Sequence, residues 1–151
     1  MADVDLDYMF SPEVRREVLD RILESHPDYE LVEPKPNEIQ LDWDTEKSMV
    51  SREEKDKHLS WALERLNLNP RKIEVFRSRN GNCHVVVTLH RPINDQKRIL
   101  LQALFGSDLR REVLNYMRRE RGDELPMLLI MNKNREGTSW RQMPSPDSED
   151  E

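Results

Sequence analysis

Two aspartates one residue apart, Asp42-Trp43-Asp44, and a histidine in an alternating apolar stretch, His84, are the residues whose types and spacing point to chemistry. On a strand, side chains two residues apart project to the same side, with their Cα atoms roughly 6.5–7 Å apart. Two carboxylates that close raise each other's pKa unless a cation lies between them. Mg²⁺ or Mn²⁺ suits such a pair, because hard oxygen ligands and substrate phosphates together complete its octahedron. The same Asp-x-Asp also reads as the solvated face of a one-sided sheet, with Asp44 beginning a turn. His84 can exchange a hydrogen bond with a phosphate oxygen, or it can be a half-exposed strand residue without a role. A zinc site from Cys83, His84 and His90 is not expected, since Cys83 points away from the face the two histidines share.

The elements that must position these residues follow from periodicity. Residues 38–44 alternate strictly, with Ile39, Leu41 and Trp43 on one face and Gln40, Asp42 and Asp44 on the other. Residues 83–89 do the same, with Cys83, Val85, Val87 and Leu89 opposite His84, Val86 and Thr88. Arg79-Asn80-Gly81-Asn82 is a hairpin turn that joins this stretch to a strand beginning at Ile73, because Asn-Gly tolerates positive φ. Ser11-Pro12-Glu13 starts an amphipathic helix over 12–24, and Pro34 and Pro36 make 27–37 an irregular connection. Ser51-Arg52-Glu53-Glu54 is a capping box before a second helix that Asn69-Pro70 stops. Helical spacing returns over 94–105. Gly106 ends that helix, Ser107 caps another carrying Leu109, Val113, Leu114 and Met117, and 127–131 has strand length. From about Asn134 the chain is polar and ends in acid, the composition of a disordered tail.

Strand, helix, strand, strand, helix pair, strand is the βαββαβ order of an α+β fold of the ferredoxin-like or RRM-like kind. The expected division is a helix and linker over 1–37, a core over 38–133 and an acidic tail over 134–151. In such a fold the strands at 38–44 and 83–89 are antiparallel neighbours. Helices cover their apolar faces, and Asp42, Asp44 and His84 come together on the open one.

With 36% hydrophobic and 36% charged residues among 151, only part of the chain can be packed core. The net charge of −6 is unevenly spread: residues 1–57 balance at −9, 58–69 at zero, 70–121 at +7 and 122–151 at −4. A basic middle between acidic ends suits an anionic ligand on one surface, as it also suits an ordinary solvated helix face. One Cys excludes an intramolecular disulfide framework and a multi-Cys zinc module. No apolar run approaches the ~20 residues of a membrane span, and the acidic start lacks the basic n-region of a signal peptide, so a cytoplasmic protein without membrane partners is expected.

Leu41-Asp42-Trp43-Asp44, followed by Ser78-Arg79-Asn80-Gly81-Asn82-Cys83-His84 running into an apolar strand, resembles motifs I and II of the archaeo-eukaryotic primase superfamily. Gly106-Ser107-Asp108-Leu109-Arg110-Arg111 is the best match to its third, acidic motif, although Asp108 can also simply favour a helix N-terminus. The resemblance spans about residues 38–120. It implies that Asp42, Asp44 and Asp108 hold catalytic Mg²⁺ or Mn²⁺, and that Ser78 and His84, with Arg79 beside them, contact the phosphates of an incoming nucleotide. The implied reaction is nucleotidyl transfer from nucleoside triphosphates on a single-stranded template, with a replication protein as a possible partner. Arg71, Lys72, Arg77, Arg110, Arg111 and Arg118 then offer a path for the nucleic-acid backbone, the 110–121 group reading equally as a solvated face.

Other classes stay open. A non-catalytic RRM-like module would stack bases on aromatics of its central strands, where this chain has Asp42, Asp44, His84 and Val86. A rolling-circle nuclease needs a second histidine, which His84-Val85-Val86 does not supply. An adaptor protein using its acidic tail is the remaining alternative, and metal binding discriminates it.

Overall fold

The computed structural model describes residues 11–44, 51–77, 83–123 and 127–140. They form a mixed α+β arrangement of four helices and two antiparallel sheets. In chain order the elements are α1 Pro12–Ser25, β1 Tyr29–Val32, β2 Glu38–Trp43, α2 Arg52–Arg65, β3 Lys72–Arg77, β4 Cys83–Thr88, α3 Asp95–Leu104, α4 Leu109–Glu120, β5 Leu129–Asn132 and β6 Thr138–Ser139.

The helix starts follow local chemistry. Ser11 Oγ accepts from the Val14 amide at 3.3 Å, Ser51 Oγ from Glu54 at 3.3 Å, and Asn94 Oδ1 from Lys97 at 2.8 Å. Each satisfies a donor that the first helical turn leaves orphaned. Gly106, at φ +85°, ends α3 as its position in the sequence suggests. The cap of α4 is Asp108 rather than the expected Ser107, because Ser107 is buried and its hydroxyl is used elsewhere.

The larger sheet has the order β2-β4-β3-β6, antiparallel throughout. One face carries Ile39, Leu41, Trp43, Ile73, Val75, Cys83, Val85 and Val87, buried against Leu59, Ala62 and Leu63 of α2 and against Phe105. That is the apolar face periodicity had assigned to the core. Trp140 packs against the same cluster and donates from Nε1 to Asp56 Oδ1 at 2.9 Å. Residues 138–140, expected to be tail, therefore belong to the folded body. The rest of the tail, 141–151, lies outside the described residues.

Two further departures reshape the expected open face. Residues 29–32, read as irregular, form β1, which pairs with β5 in a separate two-stranded ribbon. β5 does not join the larger sheet, and the outer edge of β2 explains why. Arg98 Nε donates to Glu38 O (2.8 Å) and Arg111 Nη1 to Gln40 O (2.8 Å). The Gln40 amide donates to Gln102 Oε1 (3.1 Å), the Asp42 amide to Ser107 Oγ (3.0 Å), and the Asp108 amide to Asp42 O (2.7 Å). An edge whose polar groups are taken by α3, α4 and the loop between them offers no ladder to a further strand.

The ribbon touches the second face at Gln40, and the segment that follows it packs on Phe76. Gln40 Nε2 reaches Val32 O at 3.5 Å. Arg135, paired with Glu30 at 2.6 Å, sits 6.0 Å from the Phe76 ring. A Cβ on Gly137 would meet Phe76 Cε1 at 2.7 Å, so any larger residue there must displace the Phe76 ring. Gln40, Val86 and Thr88 on this face are buried. Asp42 and His84, at one end of this face, keep partial contact with solvent, as do Glu74 and Phe76 of β3.

Candidate active site

The register places Asp42 of β2 directly opposite His84 of β4, with Phe76 of β3 on the other side of His84. His84 Nε2 lies 3.6 Å from Asp42 Oδ1, and the two side chains are 13% and 26% exposed. The loop between α3 and α4 is bonded onto the same point of the chain, since the main chain of Asp42 takes both Ser107 Oγ and the Asp108 amide. Three stretches distant in sequence thus meet at one end of the sheet.

Charge is unevenly compensated there. Burial pushes the Asp42 carboxyl above the ordinary range, Arg111 opposes this, and Asp108, Asp44 and Glu112 add to it. Lys55 of α2 donates from Nζ to Gly106 O at 2.7 Å. Burial lowers its amine pKa, while Asp108 and Asp44 partly hold it up. Lys55 is a member of the site that sequence reasoning missed, because it is one of several charged residues in the first turns of an ordinary amphipathic helix. Its ammonium supplies positive charge to Asp44 and Asp108.

Burial and the nearby Arg111 lower the His84 pKa to about 4 from 6.5, so at neutral pH the imidazole is uncharged. Its contact with Asp42 is therefore not an ion pair under those conditions. A folded-state pKa below the unfolded one gives stability that is present above pH ~6.5 and lost as pH falls toward 4. The loss amounts to at most about 3 kcal/mol at 1.36 kcal/mol per unit, and the raised Asp42 works against it at the acid end. Urea midpoints of the wild type are expected to fall between those pH values, and those of His84→Gln to fall less. Parallel profiles would contradict the assignment.

Asp42, Asp44 and Asp108 are the hard oxygen donors that Mg²⁺ or Mn²⁺ requires, and the charges of Asp44 and Asp108 reach Asp42. Among the described residues no three His, Cys, Asp or Glu side chains are gathered to hold a metal ion in this arrangement. Asp108 is occupied as a cap, its Oδ1 accepting from the Arg110 amide at 3.0 Å.

The other expected site residues are dispersed. Ser78 and Arg79, with the Asn80-Gly81 turn, lie outside the described residues. Arg77 and Arg110 are exposed. Arg71 and Lys72 lie at the opposite end of the strands, where with Lys35, Asn37, Glu38 and Thr88 they line a cavity of about 350 Å³. Arg111 is drawn inward to Gln40 O and to Glu112 Oε2 (both 2.8 Å) and so does not line an exposed path. Arg118 is half-buried. Cys83 is buried, as expected of a small core residue, with Arg52 Nη1 3.3 Å from its sulfur.

The chain matches no protein-family model, no curated protein and no solved structure.

Proposed function

We propose that this chain is a minimal primase-polymerase-like nucleotidyltransferase with an RRM-like core, joining nucleotides on a single-stranded template. The observation in favour is the convergence of Asp42, His84 and the Gly106–Asp108 loop, the three places where the sequence resembles that superfamily. Antiparallel order β2-β4-β3, with α2 on one face, supports the RRM-like reading of the core.

In this reading Asp42, Asp44 and Asp108 hold Mg²⁺ or Mn²⁺, which would neutralise phosphate oxygens and activate the attacking hydroxyl. The chain's own groups prepare the place. Ser107 and the Asp108 amide fix the main chain of Asp42 at this end of β2. His84, uncharged at neutral pH, offers a phosphate oxygen a hydrogen bond without adding positive charge that would repel a cation. Lys55 places a positive charge near Asp44 and Asp108. Nucleoside triphosphates, a template and a replication protein are the partners proposed.

A non-catalytic, adaptor reading has one observation in its favour, that the carboxylates are not gathered to coordination distance. Base stacking of the ordinary RRM kind has the burial of Val86, at the middle of that face, against it. Incorporation of labelled nucleotide on a primed single-stranded template with Mn²⁺ decides between them. The expected result is incorporation by the wild type that Asp42→Asn with Asp44→Asn lowers by roughly 10²–10³-fold or more, the scale for losing preorganised charge stabilisation. Retained incorporation in the double variant would overturn the site.

A further inference from the structure

We infer that the cavity at the end of the strands opposite the Asp42–His84 pair, between the turn at 35–38 and the start of β3, is a binding site for a phosphate group. Its volume is about 350 Å³, and Lys35, Asn37, Glu38, Arg71, Lys72 and Thr88 line it. Glu38, Thr88 and Lys72 are register partners on β2, β4 and β3, so their side chains stand in one row on the second face of the sheet. Thr88 and His84 stand at opposite ends of β4, roughly 13 Å apart at the rise of a strand. The turn is fixed before any ligand arrives. Buried Arg98 donates to Pro36 O and Glu38 O (both 2.8 Å) and to Lys35 O (3.3 Å). Asn37 O accepts from the Leu89 amide (2.8 Å), Asn37 Nδ2 donates to Leu89 O (3.0 Å), and the Arg71 amide donates to Thr88 O (2.7 Å).

The lining says what the occupant is. Every one of these side chains is polar or charged, whereas sites for organic molecules are mostly apolar, so the group held here is small and polar. Three cations against one carboxylate leave the lining with an excess of positive charge. That carboxylate is itself engaged, Glu38 Oε1 accepting from the Lys35 amide at 2.9 Å. Lys72 is shared with Glu74 at 3.1 Å, while the side chains of Lys35 and Arg71 have no ion pair among the described residues. Thr88 is buried, and its hydroxyl has no hydrogen-bond partner. Buried polar atoms are nearly always paired, so this wall of the cavity lacks a polar partner. A phosphate supplies it. It brings close to two negative charges, and its several oxygens suit donors that approach from the turn, β3 and β4 together. The planar fork of Arg71 presents paired donors to two of those oxygens. Such a phosphate can belong to a small free compound or to a nucleic-acid strand.

Calorimetric titration in EDTA, with inorganic phosphate and separately with a short oligothymidylate, tests the site. Wild type is expected to bind at least one of them. Lys35→Gln and Arg71→Gln are each expected to weaken that binding about tenfold, the effect of losing one charge-assisted hydrogen bond. Both side chains are exposed, so the fold is expected to persist, with Tm as the check. Arg16→Gln makes the same change of charge at an exposed position of α1 and is expected to leave the affinity as it is. Sensitivity to the two cavity variants with phosphate identifies a free compound, and sensitivity with the oligonucleotide alone identifies the strand backbone. The chelator removes divalent cations and both aspartates stay unaltered, so a failed metal site leaves this test intact. Absence of binding to either probe, unchanged affinity in either cavity variant, or an equal loss in Arg16→Gln would overturn the inference.

Discussion

Asp42→Asn is expected to melt at a higher temperature than the wild type in metal-free buffer. The carboxyl is three-quarters buried and crowded by Asp108, Asp44 and Glu112, with Arg111 offsetting only part of the cost. Because its folded pKa lies above the unfolded one, its favourable contribution is complete below the unfolded value and is lost as pH rises through the folded one. At neutral pH the wild type thus carries an ionised group that the fold disfavours, and the neutral amide of equal size removes that penalty. Each kcal/mol recovered raises Tm by about 2–4 °C in a chain of this length. The excess of the variant over wild type should shrink in acid, where Asp42 itself is protonated. A variant that melts lower at neutral pH would show that the carboxylate is structural rather than held in readiness for a cation.

Removing Glu112 should have the opposite sign and a larger size. Its carboxylate is buried and accepts Ser107 Oγ at 2.6 Å, Gln102 Nε2 at 2.7 Å, Arg111 Nη1 at 2.8 Å and Asn115 Nδ2 at 3.0 Å. Three of these donors, Ser107, Gln102 and Arg111, also cap the edge of β2. Glu112→Ala leaves a buried guanidinium uncompensated and loosens the groups that hold Gln40 and Asp42. Breaking one side of a buried pair costs about 3–5 kcal/mol, a large share of the 5–15 kcal/mol typical of a domain. The expected fall in Tm is roughly 6–20 °C. Glu112→Gln should also destabilise, since half of its amide faces donors with another donor. A loss no larger than that of an exposed surface substitution would contradict this role.

The opposite behaviour of these two carboxylates marks the boundary of what was legible in the sequence. Strict alternation in 38–44 and 83–89 fixed which side chains face α2 and put Asp42 and His84 on one face, as found. Cap chemistry at Ser11, Ser51 and Gly106 placed helix ends nearly to the residue. Arg111-Glu112, by contrast, reads as charge alternation on a solvated helix, because nothing local distinguishes a charged residue facing water from one facing a sheet edge. Gln102 and Asn115 were invisible for the same reason. Pro34 and Pro36 break the chain only after Tyr29–Val32, a strand complete before either of them. Val86 was the one local sign that the second face is covered, being apolar between His84 and Thr88.

Thermal unfolding with Mn²⁺ and a nucleoside triphosphate, compared for wild type and Asp42→Asn with Asp44→Asn, bears most directly on whether these aspartates hold a cation. A ligand at a hundred times its Kd adds about 2.7 kcal/mol to the native state, or roughly 5–10 °C. The wild type should rise by that amount and the variant should not, narrowing or reversing the order expected without metal. An equal shift in both proteins, or none in the wild type, would contradict a metal site at Asp42 and Asp44.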